Sequence, residues 1–395
     1  MDEAAEEAIR KEAIRLYSKG VSVNEICRTL DRSRKWFYEW KSRFDAGENE
    51  WHKSRQKAPR NVANKTPVKI EEQVVAIRAR LESSSYSQIG AFAIQWEMKK
   101  LGLEVPPTWT IDRILKRYNV VREKKRYTPK NKAYPDVRSI FSDSIQQADL
   151  VGPRYIKNDG RFFSMNTVDL ETHMAAVSPG RTKGDEDVVR GLLHAWKTIG
   201  LPDYVQLDNE LSYHGSYRHP RSPGIVLRAC LALGVGIIFI PVGEPWRNGV
   251  IERFQQVFDQ SFFRRQFFTS YAHLTQEAGK FERFFNRNHH TSYLVGKTPM
   301  DYVKTEGISM CKLDAGVLLK KIDLTLADGY IHLIRFIRSD LKLDIFGEKF
   351  KMPKEIKYEY VIATISTEDH ILQVRFDNRL ICSFKYQMPL VYKHY

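Results

Sequence analysis

The chain has 395 residues, 42% of them hydrophobic, which leaves room for two to four domains with a large core and argues against disorder. Its 63 Lys and Arg against 48 Asp and Glu give a formal charge of +15, which suits a polyanionic partner, most simply nucleic acid. An anionic membrane surface fits less well, since no basic amphipathic helix or lipidation signal is seen at either end, and no membrane role is expected.

Taken in chain order, apolar residues recur at helical spacing over residues 3–19 (Ala8, Ile9, Ala13, Leu16, Tyr17) and stop at Gly20. A short helix over 23–30 follows, with Ser22 as its cap and Glu25 three residues on. A tight turn at Asp31-Arg32-Ser33 leads into a basic helix, RKWFYEWKSRF. Helix, turn, helix with charge on the last element is the layout of a helix-turn-helix. Arg32, Arg34, Lys35 and Lys41 are its candidate DNA contacts, with Arg43 beside them, and residues 1–46 form the module. Trp36, Phe37 and Trp40 read as core.

Residues 47–68 read as a basic linker, with Lys53, Arg55, Lys57, Arg60 and Lys65 and almost no apolar periodicity. A second helical module over 69–120 repeats the plan, with helices at 70–81, 87–101 and 108–118. Its last helix is expected to be capped by Thr108 and offers Arg113, Lys116 and Arg117 to DNA. Residues 121–138 are a second basic linker. Two such modules on a tether suit a bipartite reader of a long DNA site.

The pattern then changes. Strand-like runs at 145–151, 162–168 and 173–177 are separated by turn residues such as Gly152-Pro153 and Asn158-Asp159-Gly160. A helix over 185–199, a strand at 204–207, a helix near 225–233 and a strand at 236–240 follow. The apolar stretch 225–242 is interrupted by Arg228 and two glycines, so it reads as helix then strand and not as a membrane span. Next, PVGEPWRNGVIERF makes a rigid bend, and a helix begins at Asn248 or Gly249 with Glu252 in its first turn. A meander followed by alternating helix and strand predicts an α/β domain with a mixed sheet over 139–305. From 320 to 395 the pattern is all-β, which suggests a small β-barrel.

Three carboxylates stand where elements of that α/β domain are expected to converge: Asp149 in the first strand, Asp208 at the end of the fourth and Glu252 on the late helix. Taken alone, Glu252 reads as a solvated first-turn acid. Three carboxylates held about 4 Å apart would repel by roughly 4 kcal/mol per pair at an effective dielectric near 20. Divalent cations relieve that repulsion, and oxygen ligands without His or Cys suit Mg²⁺ or Mn²⁺. Two such ions support in-line phosphoryl transfer. Asp143, Asp159 and Asp169 are nearby acids with turn, pre-strand or structural roles. Trp246, Arg247, Asn248, Arg253, Arg264 and Arg265 are candidates for phosphate contact. Tyr213, Tyr217, Arg218 and Arg221 fall in a charged, aromatic segment that reads as an exposed loop.

The stretches QADLVG at 147–152, LDN at 207–209 and PVGEPWRNGVIE at 241–252 resemble the three signatures of retroviral-integrase-like DDE transposases of bacterial insertion sequences. Phe285-Asn286, Leu294, Gly296 and Thr298-Pro299 resemble the block that follows them in that group. The chain differs in having Glu210 where the group has glycine, a longer interval between Asp208 and Glu252, and His289 and Thr291 in the later block. The resemblance implies a multidomain chain: N-terminal all-α helix-turn-helix modules, a central α/β ribonuclease H-like domain with a mixed sheet, and a C-terminal small β-barrel. It implies that Asp149, Asp208 and Glu252 are catalytic and hold two Mg²⁺ or Mn²⁺ ions, with Asp149 shared between them. It also implies a DNA transposase that binds element ends as a homo-oligomer, a dimer or tetramer, and joins a 3′-hydroxyl end to target DNA. A catalytically inactive DNA-binding regulator and a nuclease without strand transfer remain as alternatives. Cys27, Cys230, Cys311 and Cys382 lie in no metal-ligand spacing, and the first residues are acidic and polar. A cytoplasmic, nucleoid-associated bacterial protein is the expectation.

Overall fold

The computed structural model describes residues 3–55, 66–121, 134–141, 144–215 and 221–389. It divides into two compact units, Met1–Thr66 and Pro67–Tyr395.

The first unit holds α1 (Glu3–Ser18), α2 (Val23–Thr29) and α3 (Arg34–Asp45). Ser22 caps α2 by accepting from Glu25 N at 3.4 Å, and Ser33 caps α3 by accepting from Trp36 N at 3.1 Å. Ala13, Ile14, Ile26, Cys27 and Phe37 make its core, and Trp40 is buried with them. So small a core stabilises three helices only because each supplies one apolar stripe to it.

The second unit begins with α4 (Val68–Ser83), α5 (Ala91–Lys100) and α6 (Thr108–Arg117). These enclose a core of their own that includes Val74, Ile77, Ile94, Met98, Ile111 and Leu115. The cap expected at Thr108 is instead Pro107, and no side chain caps α6. Thr108 is the first helical residue, because the fixed φ of the proline sets the chain direction just before it. This module packs on the rest of the unit: Tyr86 sits against Phe281 at 5.8 Å and bonds Glu277, while Trp96 lies on His290 at 4.4 Å.

After α7 (Val137–Ile140) comes the sheet, with β1 (Ile145–Ile156), β2 (Gly160–Asp169) and β3 (Ala175–Gly180), then α8 (Asp185–Ile199) and β4 (Tyr204–Leu207). Next are α9 (Leu211–His214), α10 (Ile225–Ala232), β5 (Gly236–Phe239), α11 (Gly249–Val257), α12 (Tyr271–Asn288) and α13 (Pro299–Thr305). The C-terminal strands are β6 (Tyr330–Phe336), β7 (Lys342–Ile345), β8 (Glu348–Lys351), β9 (Tyr360–Ser366), β10 (Ile371–Phe376) and β11 (Arg379–Lys385). Val188, Val189, Leu192, Trp196 and Ile199 of α8 cover one face of the sheet with Val226 and Leu227 of α10. Phe254, Phe258, Phe262, Phe281 and Phe285 cover the other face from the α11 and α12 side.

Gly152 and Pro153 were expected to end the first strand, and they do not. β1 runs on to Ile156 through a shift of register between Val151 and Arg154. Gly152 takes φ 141°, and a Cβ there would stand 2.7 Å from the Phe163 ring, so the bulge needs glycine.

The expected C-terminal barrel is also corrected. The main sheet has nine strands in the order β11-β10-β9-β6-β5-β4-β1-β2-β3 and is open. β6 pairs in parallel with β5, so the late strands lengthen the central sheet. The β7–β8 hairpin makes its own two-stranded sheet, and its Phe350 packs on Phe384 of β11 at 5.0 Å. Alternation along each strand gave two faces correctly, and the partner strand came from a distant segment. Among the described residues, no helix is long and apolar enough to cross a membrane.

Candidate active site

β1 and β4 are parallel neighbours with Gln147 paired to Gln206. Asp149 and Asp208 each lie two residues further along, just past the last paired residues, so they occupy matching positions on one face, Asp149 within β1 and Asp208 immediately after β4. Two buried glutamines then hold the bend and helix that carry the third acid. Gln147 Oε1 accepts from Ile251 N at 3.1 Å, and Gln206 Nε2 donates to Asn248 Oδ1 at 2.7 Å. One of the free N–H groups of the first turn of α11 is thereby satisfied by the strand bearing Asp149.

Asp149 Oδ1 accepts from its neighbour Leu150 N at 2.8 Å, and Oδ2 accepts from Gln255 Nε2 at 2.7 Å. Burial pushes its carboxyl up from the ordinary range, these bonds oppose the shift, and the charges of Glu210 and Glu252 add to it. Asp208 is pushed up to about 6, first by burial and then by the charges of Asp149 and Glu210, against a bond from Glu210 N at 2.9 Å. Asp149 thus feels Glu210 and Glu252, and Asp208 feels Asp149 and Glu210. Among the described residues no three His, Cys, Asp or Glu side chains form a group able to hold a metal ion as placed. The oxygen donors and their mutual repulsion nevertheless have the chemistry that a hard divalent cation relieves.

Several participants were not read from the sequence. Glu210, noted only as a missing glycine, is a fourth charge at the site and reaches Lys183 at 3.2 Å. Buried Arg335 on β6 donates to Asn209 Oδ1 at 2.8 Å and to Ile240 O at 3.0 Å, and Asn209 Nδ2 donates to the same carbonyl at 2.6 Å. The residue after Asp208 is therefore held from the C-terminal extension of the sheet. Beside Glu252, Arg154 pairs with Asp259 at 2.9 Å in a cavity of about 310 Å³ that also meets Gln255 and Gln256. For Arg154 and Arg335 the sequence signal was a charged residue inside a strand.

The other acids have local tasks. Asp169 Oδ1 accepts from Glu171 N, Thr172 N and Thr172 Oγ1, and Asp159 pairs with Arg181 at 2.7 Å. Asp143, Tyr217 and Arg218 lie outside the described residues. Tyr213 is fully buried and Arg221 pairs with Glu348 at 2.7 Å, so neither belongs to a free loop.

The candidate DNA contacts divide by availability. In the first unit Arg32 pairs with Glu6 and Lys41 with Asp45, each at 2.5 Å, while Arg34 and Lys35 are exposed with Tyr38 on α3. On α6, Arg117 pairs with buried Glu71, Lys116 is exposed, and Arg113 lies 4.5 Å over exposed Trp109. Near the site, Arg247 is committed to Glu244 at 2.9 Å, to Tyr360 at 3.1 Å and to the Tyr134 ring at 3.8 Å. Asn248 is buried on Gln206, whereas Arg253 is exposed and donates to Gln256 Oε1 at 3.0 Å. Arg264 stands 3.6 Å from Asp259, Arg265 donates to Ser84 O at 3.3 Å, and Trp246 is half exposed.

Residues 233–299, from just before β5 through Glu252 to Thr298-Pro299, match the integrase core domain family. That segment is similar to integrase cores. Residues 4–50 match the Homeodomain-like domain family, which coincides with α1 to α3. The integrase match contains Glu252 but neither Asp149 nor Asp208, and it supports a transposase or integrase type of DNA function. Solved structures with some likeness include the HTLV-2 integrase catalytic core domain in complex with magnesium, 15% identical over 40% of this chain and 94% of that one, with a TM-score of 0.31. The simian T-cell lymphotropic virus intasome in complex with PP2A regulatory subunit B56 gamma is 14% identical over 68% of this chain and 84% of that one, TM-score 0.36. The BIV integrase catalytic core domain is 14% identical over 41% and 95%, TM-score 0.31. No curated protein matches the chain.

Proposed function

We propose that the protein is a DNA transposase that binds the ends of its element, hydrolyses a phosphodiester and transfers the resulting 3′-hydroxyl end to target DNA. The observation that carries this reading is the matched placement of Asp149 and Asp208, each two residues beyond the paired Gln147 and Gln206 of parallel β1 and β4, with the Glu252 helix tied to β1 through Gln147. Asp149, Asp208 and Glu252 would hold divalent ions, Mg²⁺ or Mn²⁺, two to a site. Such ions supply activation of the attacking oxygen and stabilisation of the leaving oxygen. The chain's own part is to fix the carboxylates, through Gln147, Gln206 and Arg335, before substrate arrives. Arg34 and Lys35 on α3, Arg113 and Lys116 on α6 and Arg253 beside the site are the proposed phosphate contacts. Joining two ends in one event calls for a homo-oligomer on DNA, a dimer or tetramer.

The test incubates the protein with labelled DNA from the flanks of its own coding region, Mg²⁺ and a plasmid. Wild type joins label to plasmid, and Asp208→Asn binds the DNA without cutting it. Cleavage retained by Asp208→Asn rejects the assignment of the carboxylates, and cleavage without joining makes the protein a nuclease.

A second reading, a non-catalytic DNA-binding regulator, is favoured by one observation: both oxygens of Asp149 already accept hydrogen bonds, from Leu150 N and Gln255. Calorimetry with DNA present separates the two, since the regulator takes up no Mg²⁺ or Mn²⁺.

A further inference from the structure

The face of β6, β9 and β10 turned away from the α8 and α10 core is covered only in part among the described residues, by the short α7 and the residues beside it, with Phe141 on His332 at 4.5 Å. Along β9 and β10 the residues alternate: Val361, Ala363, Ile365, Leu372 and Val374 are buried, while Ile362, Thr364, Ile371 and Gln373 are half exposed. The half-exposed set floors a groove of about 810 Å³ walled on one side by the segment from Tyr134 to Phe141.

Its charge runs against that of the chain. The lining contains four carboxylates, Asp136, Glu359, Asp369 and Asp377, and one guanidinium, Arg375, in a protein whose formal charge is +15. None of the four has a cationic partner within 4.0 Å among the described residues; Asp136 accepts from Arg138 N at 3.2 Å and Asp369 from Ser366 Oγ at 2.8 Å. A polyphosphate would be repelled here. A cation would be drawn in, and the aromatic rings of Tyr330, Tyr360 and Phe376 on the same lining suit it further.

A second observation is independent of the acids. His332 lines the groove with only 7% of its surface exposed, and its Nε2 has no hydrogen-bond partner among the described residues. Its Nδ1 lies 3.0 Å from Thr364 Oγ1. With Nδ1–H donating to that hydroxyl, Nε2 presents a lone pair, so it calls for a donor such as an ammonium or a peptide N–H. Tyr134 Oη, also on the lining, is likewise buried without a hydrogen-bond partner among the described residues.

We propose that this groove binds a lysine- and arginine-rich peptide segment of a second copy of the chain. The chain carries such sequence twice, within residues 53–69 and 122–132, so the complementary cation is present on every copy. An extended strand laid on the exposed floor would place alternate side chains toward the acids and the rings. The groove is a different place from the carboxylate site, so the proposal needs neither metal nor DNA.

The test uses a fluorescent synthetic peptide with the sequence of residues 122–132 and the full-length protein, followed by fluorescence anisotropy and by sedimentation. Expected is saturable binding that weakens with salt, is lost when the Lys and Arg of the peptide are replaced by Ser, and weakens at least tenfold in Glu359→Lys/Gln373→Lys. Circular dichroism melts of that variant verify its fold, and Glu359→Gln alone, a milder change, should weaken binding in the same direction. The peptide should also dissociate self-associated protein. Absence of binding, or equal binding by folded wild type and variants, overturns the groove as the site. Binding that leaves self-association unchanged overturns the second copy as the occupant.

Discussion

Gln147 accepts a hydrogen bond from Ile251 N at 3.1 Å, and through it the strand that bears Asp149 holds the first turn of the helix that bears Glu252. Replacing Gln147 with Leu leaves a buried N–H unmatched, at a cost of about 1–3 kcal/mol. Because misplacing a reacting group by even ~1 Å can cost roughly a hundredfold in rate, DNA cleavage should fall about 10- to 100-fold while DNA affinity stays the same. Cleavage rates and gel-shift titrations of Gln147→Leu check this, and an unchanged rate rules out the positioning role.

Asp208 makes a prediction about stability and pH. Its carboxyl is raised to about 6 in the folded chain, so the folded state disfavours the ionised form. The penalty is absent below the unfolded value near 4, grows between there and about pH 6, and is constant above it. With allowance for solvent screening it is on the order of 1–2 kcal/mol at pH 7. In the absence of divalent ions, Asp208→Asn should therefore be more stable than wild type at pH 7.5, and the gain should vanish by about pH 3.5. Urea denaturation at the two pH values measures the difference.

His289 works in the opposite direction. It is buried against Phe285 at 4.2 Å and faces the Gln88 amide at 3.0 Å, and burial pulls its pKa down to about 3. The unfolded chain takes up the proton first, so stability is full above the unfolded value near 6.5 and is lost as pH falls toward 3. Gln88 belongs to the loop between α4 and α5, so the loss should include release of that module. His289→Gln should lose less stability than wild type between pH 7 and pH 4.5, as read by denaturation and by hydrogen exchange over Tyr86 to Trp96. Equal losses contradict the prediction.

Arg335 should connect the late strands to the site. Arg335→Met strands Asn209 Oδ1 and leaves Ile240 O with one donor fewer, costing about 1–3 kcal/mol. Mn²⁺ affinity should weaken severalfold, and Arg335→Lys should recover part of it. Isothermal titration of folded variants decides, and unaltered Mn²⁺ binding confines Arg335 to the fold.

Much of this was legible in the sequence where the signal is local. The helix at Asp185–Ile199 is bounded as its apolar stripe, its acidic first turn and the glycines at its two ends require. The three helices of each N-terminal module follow from their 3.6-residue period, whereas the cap at Thr108 failed because a proline immediately before it already fixed the start. Strand partners are not local. Tyr330–Phe336 alternates as a strand should, but nothing in it says that Gly236–Phe239 lies alongside, and so an expected barrel proved to be an extension of the sheet. The three carboxylates were proposed from motifs. Gln147, Gln206 and Arg335 went unread because a buried polar side chain in a strand declares itself only by a partner far away in the chain. Arg247 was read as free for DNA for the same reason: its partners Tyr134 and Tyr360 are distant in sequence.

The most direct measurement counts Mn²⁺ bound per chain in the DNA complex, by paramagnetic resonance, for wild type, Asp149→Asn, Asp208→Asn and Glu252→Gln. The account predicts two ions for wild type and a loss of at least one in every variant. Equal Mn²⁺ occupancy in all four proteins, or none in wild type, contradicts it.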